Sequence, residues 1–208
     1  MRPTLPTDFL KRLCEAPQKD AKKTLRIFFA IMLPESVQET FQNILDMIQT
    51  SILEQSVRLV NAKQLHVTLQ FLGNIQQNHL PILIEQARSQ LKNISAFQLQ
   101  VKILLTFPTK THTKVIALSV EPQTELITLS KTLGQIIRNL GYPIDPRPFQ
   151  GHITLARMKN DFLRDDLLSK ICLPKTPVIE VNEIALMESK TNHQSAEYYY
   201  LDRFALRG

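Results

Sequence analysis

Two histidines in this 208-residue chain sit in the same four-residue string. His66-Val67-Thr68-Leu69 and His152-Ile153-Thr154-Leu155 both read His-x-Thr-Leu, and they take two of the chain's five histidines. Side chains alternate faces along a strand, so His66 and Thr68 share one face while Leu65, Val67, Leu69 and Phe71 take the other. The same parity sets His152 with Thr154, opposite Ile153 and Leu155. An imidazole titrates at about 6.5, so near neutral pH one ring can accept a proton while the other still carries one. Threonine hydroxyls can donate to the non-bridging oxygens of a phosphate. Four such groups facing one another could hold a phosphodiester, activate water and protonate a departing alkoxide. A catalytic zinc takes three protein ligands, and neither string has a cysteine, carboxylate or second histidine at ligand spacing. The reading therefore calls for no metal and no cofactor.

Such chemistry needs elements that bring the two strings together, and the apolar pattern supplies them twice. Ile27-Phe28-Phe29-Ala30-Ile31-Met32-Leu33 is a short aromatic and β-branched run ending at Pro34, the signature of a buried strand. Val37, Phe41, Ile44, Leu45, Ile48 and Ile52 then recur at helical spacing, with Pro34 and Glu35 as a first turn. Strands over Val57-Arg58-Leu59-Val60 and 65–72 follow, the second closing at Gly73-Asn74. Leu80, Ile84, Ala87 and Leu91 predict a helix, and 97–103 an alternating strand. The order then recurs: a strand at 115–120, a helical stripe through Leu126, Leu129, Leu133, Ile136, Ile137 and Leu140 stopped by Gly141, and a proline-rich connection to His152. A helix over 162–171, a strand over 178–187 and a final strand over 198–206 complete the pattern. Ile27 precedes His66 by 39 positions and Val115 precedes His152 by 37. Two internal repeats, roughly 26–107 and 115–188, plus a C-terminal strand, are expected, with the polar stretch 108–114 at their junction. The fold class is α+β. Two pseudo-symmetric lobes, each an antiparallel-rich sheet with outer helices, would enclose a central groove.

Composition narrows the setting. Hydrophobic content of 43 % against 21 % charged is that of a globular domain. No apolar run approaches the roughly 20 residues that a membrane span needs, and no secretory h-region precedes the first strand, which points to the cytoplasm and to no membrane partner. Half of the +6 net charge lies in residues 1–25, a basic N-terminal extension expected to be poorly ordered, so charge alone demands no polyanionic partner. Cys14 and Cys172 are read as two inert thiols.

The other candidates have plainer explanations. His79 fits a helix start, while His112 and His193 fit polar loops. Tyr198, Tyr199 and Tyr200, with Phe28 and Phe29, could stack on a base, but strand cores favour the same residues. Asp145 beside Pro146 fits a turn better than a partner for histidine.

Paired His-x-Thr strings in a strand–helix–strand duplication resemble the two-histidine (2H) phosphoesterase superfamily, within it the RNA 2′,3′-cyclic phosphodiesterases, or 2′-5′ RNA ligase-like proteins. The likeness extends over roughly 26–207. Arg26-Ile27-Phe28-Phe29-Ala30-Ile31 with Leu33-Pro34 resembles the family's opening strand, and Phe71-Leu72-Gly73 follows the first string as it does there. Arg147-Pro148-Phe149 before His152, Ala156-Arg157 after it, and Glu188-Ser189 before the last strand also match. The resemblance implies hydrolysis of terminal 2′,3′-cyclic phosphates on RNA to 2′-phosphates, with His66 as proton donor and His152 as proton acceptor; a monomer is expected. It implies that Thr68, Thr154 and Arg157 bind the phosphate, the arginine as a bidentate clamp. There are two departures. Gly151 stands where the family usually has proline. Arg157 is five residues after His152, an odd offset that reaches the histidine face only if the strand bends, bulges or ends near Ala156. Two further readings stay open: 2′-5′ ligation or 2′-5′ phosphodiester cleavage in the same groove, and a non-catalytic module that binds RNA or nucleotides.

Overall fold

The computed structural model describes residues 23–51, 57–108, 113–158, 171–191 and 196–208. The helix expected from Phe162, residues 52–56, and Cys14, His112 and His193 lie outside them.

Strand β1 (Thr24–Met32) takes in the last two residues of the expected N-terminal extension. Ile27, Phe29 and Ile31 enter the main core, whereas Phe28 and Ala30 join a smaller apolar cluster with Ala185 and Met187 on the opposite face. Burial on both faces explains why this run is apolar throughout rather than alternating. Helix α1 (Gln38–Ser51) buries Phe41, Ile44, Leu45 and Ile48, the predicted stripe. Strands β2 (Val57–Leu59) and β3 (His66–Gln76) follow, then α2 (Leu80–Leu91), which buries Leu83, Ala87 and Leu91. Strands β4 (Phe97–Pro108) and β5 (Thr113–Glu121) precede α3 (Gln123–Asn139). Gly141 ends α3 with φ +83°, and the amides of Gly141 and Tyr142 return to the carbonyls of Arg138 and Ile137. A Cβ-bearing residue would be strained in that cap. Strand β6 (His152–Met158) carries the second string.

The strand expected over 178–187 is instead two, β7 (Ile179–Val181) and β8 (Glu183–Thr191), before the last strand β9 (Ala196–Ala205). Its apolar alternation gave no hint of the break at Asn182, because both pieces bury side chains. All strands share one antiparallel sheet in the order β7-β4-β5-β6-β3-β1-β8-β9, with β2 also pairing with β6. Strands first and seventh in that order are joined by one residue. Successive Cα atoms are about 3.8 Å apart, so the sheet must curl, and it forms a half-barrel. Helices and the main core cover one face, and a groove runs along the other. Among the described residues no helix is long and apolar enough to cross a membrane.

Candidate active site

The two histidine strands meet at the middle of the sheet. Strands β3 and β6 are antiparallel and pair through Val67 and Ile153, both fully buried on the core face. That register sets His66 across from Thr154 and Thr68 across from His152, all four on the open face. His66 and His152 thus stand on one diagonal of a square, a spacing of about 7–8 Å for cross-strand diagonal neighbours. The threonines stand on the other diagonal. Both strings lie at the starts of their strands, and the chains run in opposite directions from this point. The local two-fold relation lets residues 86 positions apart act on a single group.

Each imidazole is held in the same way. His66 Nδ1 is 2.7 Å from the Gln64 carbonyl, and His152 Nδ1 is 2.8 Å from the Gln150 carbonyl. A carbonyl only accepts, so each Nδ1 carries the hydrogen and each Nε2 is left for chemistry. Each ring also leans on an aromatic. Phe28 lies 5.1 Å and Tyr198 5.3 Å from His66, and Phe107 lies 4.9 Å from His152, centroid to centroid. Burial lowers the pKa of His66 below its ordinary value. The Gln64 carbonyl opposes the shift, while the charges of Arg157 and His152 add to it. Both neighbours are therefore close enough for His66 to feel their charge.

Arg157 reaches this face through a bulge. Against β5, Thr154 pairs with Ala117 but Ala156 pairs with Ile116, which leaves Leu155 as an extra residue. Leu155 and Ala156 both turn into the core at 0 % exposure, and Arg157 emerges exposed on the histidine face. The first repeat has the same device at the same offset. Against β1, Thr68 pairs with Ala30 and Gln70 with Phe29, which leaves Leu69 extra. Both bulged carbonyls find donors, Leu69 from the Ser130 hydroxyl at 3.0 Å and Leu155 from the Val60 amide at 2.8 Å. Five residues after His66 the bulge exposes Phe71, with the Arg26 guanidinium 5.0 Å from its ring centre. Arginine holds that place in one repeat and an aromatic in the other. Across the β2–β6 ladder Arg58 is the register partner of Arg157.

The structure thus gathers His66, Thr68, His152, Thr154 and Arg157 on one face. Other candidates lie elsewhere. His79 precedes α2 and bonds the Tyr142 hydroxyl, and Asp145 is exposed and accepts from Arg147. Phe29 is core, and Phe28 lies buried beneath His66, so neither offers a ring to a base. Tyr199 and Tyr200 are part-exposed and carry Lys190 and Arg203 over their rings. The reading from sequence missed Phe107 and the carbonyls of Gln64 and Gln150. A backbone acceptor has no residue signature, so no sequence signal could have found the carbonyls.

The fold and site together define a class: a curled antiparallel half-barrel with two His-x-Thr strings side by side at its middle. The sequence pattern of the 2′-5′ RNA ligase superfamily matches residues 33–193, and the chain belongs to that superfamily. It is 26 % identical to the RNA 2′,3′-cyclic phosphodiesterase of Aquifex aeolicus, over 89 % of this chain and all of that one. The protein of the same name from Methanothermobacter thermautotrophicus is 23 % identical over 88 % of this chain and 99 % of its own. Among solved structures, E. coli LigT in complex with 3′-AMP superposes with a TM-score of 0.72, at 26 % identity over 88 % of this chain and 99 % of LigT.

Proposed function

We propose that this chain hydrolyses the terminal 2′,3′-cyclic phosphate of RNA to a 2′-phosphate. The observation that carries the reading is the Val67–Ile153 register, which sets two imidazoles diagonally about one position with a threonine beside each. The relatives named for that reaction, and the 3′-AMP complex of LigT, support the substrate class. His152 Nε2 takes a proton from water as its oxygen attacks phosphorus. The bond from phosphorus to O3′ breaks, and His66 Nε2 gives its proton to that oxygen. Thr68 and Thr154 donate to the non-bridging oxygens, and Arg157 offsets their charge. The enzyme acts as a cytoplasmic monomer whose partner is an RNA end, and it needs no metal.

The test is a short RNA ending in a 2′,3′-cyclic phosphate, with the product identified by chromatography against 2′- and 3′-phosphate standards. A 2′-phosphate is expected, and His66→Ala and His152→Ala should each lose about 10²–10⁴-fold in kcat with the fold intact. A 3′-phosphate, or full activity in either variant, would reverse the roles or remove them. The superfamily's name favours one further reaction, in which a 5′-hydroxyl of RNA replaces water. Joined 2′-5′ product on adding 5′-hydroxyl RNA would establish it.

A further inference from the structure

His152 Nδ1 donates to a carbonyl that belongs to the peptide joining Gln150 to Gly151. The amide of that same peptide donates to Gln123 Oε1 at 2.9 Å. A peptide is planar, so whatever fixes its N–H also fixes the direction of its C=O. Gln123 holds the next peptide as well, because its Nε2 donates to the Gly151 carbonyl at 3.0 Å and to the Val120 carbonyl at 2.6 Å. One carboxamide at the start of α3 thereby clamps both backbone groups of the residue before His152. The close approach depends on glycine, since a Cβ at 151 would fall 2.5 Å from Leu126 Cδ1 on the same helix.

The first repeat solves the same problem differently. The peptide that accepts from His66 Nδ1 joins Gln64 to Leu65, and its amide donates to the Ala62 carbonyl within a 3₁₀ turn. No helix or strand is present over 143–150 to supply such an acceptor before His152. A side chain from α3 takes the place of the turn. We infer that Gln123 is a positioning residue that fixes the tautomer and ring orientation of His152 through the Gln150–Gly151 peptide. The inference rests on the proposed role of His152 as proton acceptor. A ring with its hydrogen on Nε2 could not take a proton from water there.

Gln123→Leu keeps much of the side-chain volume and removes all three hydrogen bonds. Nitrogen-15 spectra of the ring nitrogens report the tautomer of each histidine without any substrate. In the natural protein both neutral rings should carry hydrogen on Nδ1. In Gln123→Leu the His152 signal should become a mixture of tautomers while His66 is unchanged. In parallel, kcat should fall by up to about 100-fold with little change in KM. Gln123→Glu gives a second comparison should the leucine variant not fold. Its carboxylate repels the two carbonyls, but its protonated form restores a donor to them. Its rate relative to the natural protein should therefore rise as pH falls. An unaltered His152 tautomer and kcat in Gln123→Leu, equal change at both histidines, or a pH-independent ratio for Gln123→Glu would each overturn the inference. Failure of the natural protein to open a cyclic phosphate would sink the proposed function instead, and the ring spectra would still decide the role of Gln123.

Discussion

As the proposed acid, His66 must hold its proton before it can give it, and it sits where holding one is hard. Its ring packs against both Phe28 and Tyr198, which also touch each other, with the charges of Arg157 and His152 nearby. The free enzyme therefore favours neutral His66 at neutral pH, and an anionic phosphate must supply the charge that keeps the proton on. kcat/KM reports the free enzyme and kcat reports the complex. With His66 as donor, kcat/KM should fall as pH rises through a value under about 6.5, while the corresponding limb of kcat lies at higher pH. Arg157→Ala removes one of the two charges that depress His66. It should move the alkaline limb of kcat/KM upward even as the rate drops. pH–rate profiles of both proteins check this, and a limb that rises with pH instead would make His66 the base. The histidines and threonines were legible in the sequence because a period of two fixes which side chains share a face. Gln123 was not, because it acts on backbone groups 28 residues away, and a glutamine at the start of a helix has nothing to mark it.

At the scale of elements, β6 shows how much one extra residue decides. The odd offset of Arg157 from His152 already demanded a bend, a bulge or a strand end near Ala156. Which of these occurs depends on pairing, and pairing is invisible until β5 and the end of β2 are in place: Ile116 takes Ala156, and the Val60 amide takes the Leu155 carbonyl. The matching bulge at Leu69 was likewise hidden, since Ser130 lies on a helix 61 residues later. The bulge can be tested by moving the arginine. On a regular strand, Ala156→Arg with Arg157→Ala would put a guanidinium four residues from His152 and on its face. With the bulge, position 156 is in the core, so the double variant buries an unpaired charge and should lose several kcal/mol in urea unfolding, without recovering activity. Arg157→Ala alone should leave stability within about 0.5 kcal/mol, because the side chain is exposed. A stable, active double variant would show that β6 is regular in solution.

Across the whole molecule, the two repeats expected from the sequence and the halves of the sheet do not coincide. β4, the last strand of the first repeat, leaves its own half to pair with β5, and β8 of the second repeat pairs with β1. The order of elements was legible from apolar periodicity, but the exchange was not, because a strand's pattern records which faces are buried and not which neighbour it bonds. The exchange has a physical consequence for the site. His66 and His152 come from different repeats, and each half of the sheet is completed by a strand from the other, so the groove cannot open by parting the repeats without breaking the β4–β5 and β1–β8 ladders. Neither repeat can satisfy its own edges. In a fragment ending after β4, strand β1 loses its partner β8 while β4 loses both β5 and β7; the fragment starting at β5 lacks β1 and β3 to cover β8 and β6. Chains covering residues 23–110 and 111–208 should each be largely unfolded alone by circular dichroism. Mixed at equal concentration, they should recover the sheet signal and the cyclic phosphodiesterase activity together. A fragment that folds cooperatively alone would mean that the strand exchange is dispensable, and that the two histidines are brought together by docking of finished halves rather than by one continuous sheet.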